Sequence, residues 1–238
     1  MKLMVVDTAL GLCTAGVFEV DGAGVRRLGL RSEPMVKGHS ERIAGFARDA
    51  AVEAGMRFAD LDRIGVTVGP GSFTGLRVGL AFAQGLAAAL DRPVVGVSAL
   101  DALAASVAGA PTAGAPTVGA PTVAALIDAR RGQVYARFWR DGDPEGEAEA
   151  LTLDAAAARI MTMGPGAVLV GSGAALFAEA AAGPTLRSLE GPVPEALARL
   201  AAAADPALAL ARPLYLRAPD ATPPTRLPGQ PREPVRTP

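Results

Sequence analysis

The stretch from Ile64 to Leu90 constrains this chain most. Ile64-Gly65-Val66-Thr67-Val68 is a short apolar, β-branched run that predicts a strand covered on both faces. Gly69-Pro70-Gly71-Ser72 ends the strand, and Ser72 or Thr74 can cap the N–H groups that follow. From Thr74 to Leu90 the pattern is helical. Gly75, Gly79, Ala83 and Ala87 recur every fourth residue, so they share one row of that helix. An interior glycine costs about 1 kcal/mol relative to alanine, so the row needs a close neighbour to justify it. Leu76 and Leu80 run beside it, and Val78, Phe82 and Leu86 make a further apolar row. Two readings stay open: a helix packed tightly on its own sheet, or one that also offers a side to another chain.

A phosphate-loop reading of this stretch fails on detail. Gly75 is followed by Leu76-Arg77 instead of Lys-Ser/Thr, and Gly69, Gly71 and Gly75 are spaced GxGxxxG, not GxGxxG. The helix N-terminus with Arg77 still suits an anion.

Two hundred and thirty-eight residues, half of them hydrophobic, suffice for one large domain or two small ones. A net charge of −1 gives no broad basic surface for nucleic acid. The single cysteine, Cys13, forms no internal disulfide, and no signal peptide opens the chain, so the cytoplasm is the expected compartment. The longest uncharged run, Ala102 to Ile127, contains three prolines, which argues against a membrane span. With one histidine, His39, and one cysteine, a His/Cys metal cluster is excluded, and no Ser–His–Asp spacing is present.

Residues 2–7 read as a first strand ending in Asp7-Thr8, with strands following near 14–20 and 25–32 and a helix from Ser40, its expected N-cap, to Ala54. Pro93–Ser98 predicts a strand and Leu100–Val107 a short helix. Three copies of Gly-Ala-Pro-Thr-Ala/Val then form a linker or loop insertion. The second half restarts the pattern: a strand from Val123 to Asp128, a turn at Arg130-Arg131-Gly132, and a return strand from Gln133 to Arg140. A helix over 154–161, a strand over 167–170, a Gly171-Ser172-Gly173 turn leading into a helix, and a last helix over 195–204 complete it. From Ala218, seven of 21 residues are proline, so a disordered tail is expected. A strand ending in Asp and followed by a hairpin opens the actin-like and ribonuclease-H-like fold. The expected architecture is therefore α/β: two tandem subdomains of that kind, mixed sheets flanked by helices, over 1–104 and 123–217, with a linker at 105–122 and a tail at 218–238. In ATPases of this fold the aspartate manages phosphate and magnesium. Asp7, Thr8, Arg77, Asp128, Gly171, Ser172 and Gly173 are thus candidates for a vestigial nucleotide site, beside the plainer reading that Asp7 caps a turn.

Val66-Thr-Val-Gly-Pro-Gly-Ser-Phe-Thr-Gly-Leu-Arg-Val-Gly-Leu80 resembles the signature of the TsaB (YeaZ) family. Val5-Val-Asp-Thr8, Gly38-His-Ser-Glu41, Val97-Ser-Ala-Leu100 and Leu126 to Tyr135 match it in order, over roughly residues 3–140. The resemblance implies a non-catalytic partner of the transferase TsaD, acting with the ATPase TsaE to attach threonylcarbamoyl to N6 of adenosine 37 in tRNAs reading ANN codons. It implies no cofactor on this chain alone, ATP or ADP in the assembled complex, tRNA contact only through that complex, and a homodimer as a further form. In that family the two helices over 40–54 and 74–90 form the partner surface. His39, Ser40, Ile43, Phe46, Ala47, Gly75, Leu76, Gly79, Leu80, Ala83 and Ala87 are its candidates here. The rival classes are a stand-alone actin-fold ATPase or kinase, and a protease.

Overall fold

The computed structural model describes residues 1–107, 121–178 and 183–217. The Gly-Ala-Pro-Thr repeat, but for its last residues, and the whole proline-rich tail lie outside these residues. Five strands form the first sheet: β1 (Lys2–Asp7), β2 (Leu12–Asp21), β3 (Gly24–Pro34), β4 (Arg63–Gly69) and β5 (Val94–Ser98), in the order β3-β2-β1-β4-β5. β1, β2 and β3 meander antiparallel. β4 and β5 run parallel to β1, reached through the crossover helices α1 (His39–Glu53) and α2 (Phe73–Leu90). β1 is central, so its residues from Leu3 onward are buried on both faces.

Ile43, Phe46 and Ala47 of α1, with Leu80, Ala83 and Ala87 of α2, cover Met4, Val6, Ile64 and Val66. The opposite face, Leu3, Val5, Phe18 and Val95, is covered by α5 (Pro194–Ala203) through Leu197, Ala198 and Ala201. The last helix of the 123–217 segment therefore returns to the first sheet.

The second sheet repeats the first. Its central strand β6 (Val123–Arg130) pairs antiparallel with β7 (Gln133–Arg140) on one side and parallel with β10 (Val168–Val170) on the other, and β10 pairs with β11 (Thr185–Arg187). The short strands β8 (Asp143–Pro144) and β9 (Glu149–Thr152) both pair with β7, together taking the place that β3 has in the first sheet. Helix α4 (Leu153–Met161) packs Ala156 and Ile160 on Leu126, Val134 and Phe138. Helix α3 (Ala99–Val107) sits between the lobes: Leu100 and Leu103 meet Ala9 and Leu76 from the first half, and Val123, Ala125 and Ile127 from the second. An ion pair also crosses here, Arg137 Nη1 to Asp101 at 2.7 Å. The fold is α/β, with two mixed sheets of ribonuclease-H-like order.

Three local expectations are corrected. Helix α1 starts at His39 with Gly38 as N-cap at φ 90°, so Ser40 lies in its first turn and caps nothing. The helix expected after Gly173 is only a 3₁₀ turn, Ala174–Phe177. The largest correction concerns the small-residue row of α2. Gly75, Leu76, Gly79, Leu80, Ala83 and Ala87 are all buried, and the glycines exist for an internal reason. A Cβ on Gly75 would lie 2.0 Å from the Thr8 carbonyl oxygen, and one on Gly79 would lie 2.4 Å from Thr8 Oγ1. Thr8 Oγ1 in turn donates to the Gly75 carbonyl at 2.7 Å. The row is the seam between α2 and the end of β1, not an open surface.

Candidate functional site

The outer sides of α1 and α2 leave an open groove of about 480 Å³, lined by Ser40, Ile43, Ala44, Phe73, Thr74, Arg77, Val78, Ala81 and Phe82. Its wall is apolar, and Phe73 stands 55% exposed at one end. The Arg77 guanidinium lies over the Phe73 ring, 3.8 Å from its centroid. Of the residues expected to form a partner surface, Ser40 and Ile43 line this groove. Phe46 and Ala47 belong to the core, His39 is buried, and the α2 row faces inward. The residues missed are Ala44, Phe73, Thr74, Val78, Ala81 and Phe82, with Arg77 assigned to a different role. The sequence does carry the signal: Arg77 and Gln84 are the only charged or amide side chains on α2, and both mark the side turned outward.

Behind the groove lies a buried polar cluster. Asp7 Oδ1 accepts from Thr67 Oγ1 at 2.6 Å and from the Ala9 N–H at 2.9 Å, while Oδ2 is buried with no hydrogen-bond partner among the described residues. Burial pushes the Asp7 carboxyl above its ordinary value, against the pull of the Thr67 and Ala9 bonds and of His39. The surrounding space is filled by the chain itself. Gly11 N–H donates to the Glu190 carbonyl at 2.8 Å, Ser72 N–H donates to the Ala9 carbonyl at 2.8 Å, and a Cβ on Gly191 would lie 3.3 Å from Asp7 Oδ2. Asp7 and Thr8 thus anchor a turn on which α2 and the 190–191 loop rest.

A raised folded-state pKa means that the native protein holds its proton more tightly than the unfolded chain. The contribution of Asp7 is present below the ordinary carboxylate range and is lost as pH rises through the raised value. Asp7→Asn keeps an acceptor for Thr67 and Ala9 without the charge. As pH rises above the ordinary carboxylate range toward the raised Asp7 value, the wild type should lose urea resistance relative to Asp7→Asn. Parallel midpoints for the two proteins across that range would contradict this.

In the second lobe Asp128 makes the same local bond, its Oδ1 accepting from the Arg130 N–H at 2.7 Å, but on the surface. Ser172 Oγ accepts from the Asp128 N–H at 3.2 Å, and Gly173 N–H donates to the Leu126 carbonyl at 2.9 Å. A Cβ on Gly171, at φ 106°, would lie 2.4 Å from the Leu126 oxygen. These glycines let the turn approach the backbone of β6. Arg130 and Arg131 both adopt positive φ, 58° and 55°, at the β6–β7 turn.

Catalytic equipment is sparse among the described residues. The only histidine, His39, is buried with Nε2 unpartnered. Burial pushes the Cys13 thiol up to about 11, leaving it un-ionised near neutrality. No group of three or more His, Cys, Asp or Glu side chains is placed to hold a metal ion among the described residues. Helix α2 is long and apolar enough to cross a membrane by composition, but its inner row is spent on the first sheet.

The family model for TsaD, tRNA N6-adenosine threonylcarbamoyltransferase, matches residues 29–175. A Mycobacterium tuberculosis relative, the uncharacterized protein Rv3421c, is 35% identical over 93% of this chain and 94% of its own length. The tRNA threonylcarbamoyladenosine biosynthesis protein TsaB of Escherichia coli is 32% identical over 59% of this chain, which spans 56% of the length of that relative. The solved structure of YeaZ from Pseudomonas aeruginosa superposes with a TM-score of 0.67 at 28% identity, covering 90% of this chain and 99% of its own. With the repeated sheet order and the Val66–Leu80 signature in the same chain, the protein belongs to the TsaB (YeaZ) family.

Proposed function

We propose that this chain is a non-catalytic subunit of the machinery that makes N6-threonylcarbamoyladenosine at position 37 of tRNAs reading ANN codons. It docks a TsaD-like protein through the α1/α2 groove, in the cytoplasm, with a TsaE-like ATPase completing the assembly. One observation carries this reading: the chain fills its own cleft at Asp7 with backbone while leaving an apolar groove uncovered on its outer face. An exposed apolar groove with an aromatic end is what a protein partner covers. The tRNA biosynthesis names of the Escherichia coli, Bacillus subtilis and Haemophilus influenzae relatives support the pathway. tRNA is reached through the complex, since a net charge of −1 supplies no broad phosphate-binding surface. The test is a reconstitution in which each component is omitted in turn: modification should require this chain, and its omission having no effect would refute the proposal.

The second reading, a stand-alone ATPase, is favoured by the unpartnered Oδ2 of Asp7. Titration of the isolated chain with ATP and magnesium decides between them. Heat signals at or below the detection limit are expected, because Gly191 and Glu190 occupy the approach to Asp7. Submicromolar affinity, or turnover lost in Asp7→Ala, would establish the ATPase. In the assembled complex, ATP or ADP belongs to the interface with the TsaD-like partner.

A further inference from the structure

The docking groove does not end with the two helices. After α5 the chain runs back over the first sheet: the Gly96 N–H donates to the Ala209 carbonyl at 2.9 Å, the Leu214 N–H donates to the Val68 carbonyl at 2.7 Å, and Gln84 Nε2 donates to the Ala211 carbonyl at 2.7 Å. This strap sets Tyr215 against the exposed end of the groove, its ring centroid 5.6 Å from that of Phe73. Tyr215 is 48% exposed and Phe73 is 55% exposed, two neighbouring aromatics left open in a chain with only 4% aromatic residues. The Arg77 guanidinium also lies over the Phe73 ring, and it makes no ion pair with any described residue.

We infer that Arg77, Phe73 and Tyr215 form a composite anchor which takes a carboxylate side chain set within an apolar helix face of the partner. This rests on the docking reading above and extends it beyond the helices to the strap. Tyr, Trp and Arg dominate the energetics of protein interfaces when a partner buries them. A guanidinium seated over an aromatic ring still has N–H donors to offer a carboxylate. The charge to be matched comes from outside this chain. On α1, Asp49 is paired to Arg48 and Glu53 to Arg31, while Glu41 lies beside Ser40 and off the groove wall. Among the described carboxylates of α1 only Glu41 has no ion pair, so a second copy meeting groove to groove would have to answer Arg77 from there.

The experiment measures affinity of full-length variants for the TsaD-like protein of the same organism, at two salt concentrations, with self-association followed by sedimentation. Arg77→Glu is expected to weaken binding at least about tenfold and to remove most of its salt dependence. Arg77→Lys should recover part of the loss, Tyr215→Ala should lose about tenfold, and Tyr215→Phe should bind normally, since the ring and not the hydroxyl makes the contact. Unchanged affinity in Arg77→Glu or Tyr215→Ala, with wild type binding, overturns the anchor and leaves the docking reading standing. Self-association weakened equally by Arg77→Glu and Glu41→Gln would make a second copy the source of the carboxylate and overturn the inference. No binding by the wild type would strike the docking reading itself.

Discussion

Gly79→Leu is expected to unfold the chain, and Gly75→Leu to do so more completely. Both substitutions place side-chain atoms into the seam between α2 and β1, where even a Cβ would sit 2.4 Å and 2.0 Å from Thr8 atoms. At Gly75 the obstacle is a backbone oxygen of the central strand's end, which cannot rotate away. At Gly79 it is a hydroxyl already committed to the Gly75 carbonyl. Overpacking of a core ordinarily costs about 1–3 kcal/mol. The backbone clash at Gly75 exceeds that and approaches the whole stability of a domain, about 5–15 kcal/mol, while at Gly79 the overpacking adds to the loss of the Thr8–Gly75 bond. Gly85→Leu is the control on the same helix: nothing lies within 4 Å of its added Cβ, and replacing an exposed helical glycine gains up to about 1 kcal/mol. Circular dichroism and urea midpoints read the difference. A folded Gly79→Leu with an unshifted midpoint would place the row on the surface after all.

The second large effect is on assembly. Ala81 lines the groove and is exposed. Ala81→Arg should therefore leave the fold and its midpoint within about 0.5 kcal/mol of wild type. It puts a bulky, hydrated cation where an apolar partner face must close, beside Arg77. Loss of about a hundredfold or more in affinity for the TsaD-like protein is expected, in the range of strong interface positions.

The architecture was legible because the strands that carry it are long and apolar. β1 and β7 fall at Lys2–Asp7 and Gln133–Arg140, where the sequence places them, and both halves show the strand–Asp–hairpin opening. The strands that escaped notice are short: β11 has three residues, all open to solvent, β8 has two, and β9 has four, three of them half-buried. None is long enough to show a clear alternation. The small-residue row of α2 was legible in location but not in side. A row of small residues at every fourth position is what any close helix contact requires, whether against the chain's own β1 or against another protein. The clue lay one row over, where Arg77 interrupts an otherwise apolar helix and Ala81 and Gly85 follow it at the same spacing. Tyr215 could not be placed from sequence, because its neighbour Phe73 is 142 residues away and no periodicity links a strap to a helix end. The Gly171-Ser-Gly173 turn shows the converse: glycines that suggest a ligand are there because the β6 backbone passes within contact.

Reconstituted threonylcarbamoylation of tRNA, with the TsaD-like and TsaE-like proteins and either wild-type chain, Ala81→Arg or no addition, shows whether the α1/α2 groove joins this chain to a tRNA-modifying partner. Modification is expected with wild type, and background levels both with folded Ala81→Arg and with the chain omitted. Full modification by Ala81→Arg, or in the absence of the chain, would refute that docking.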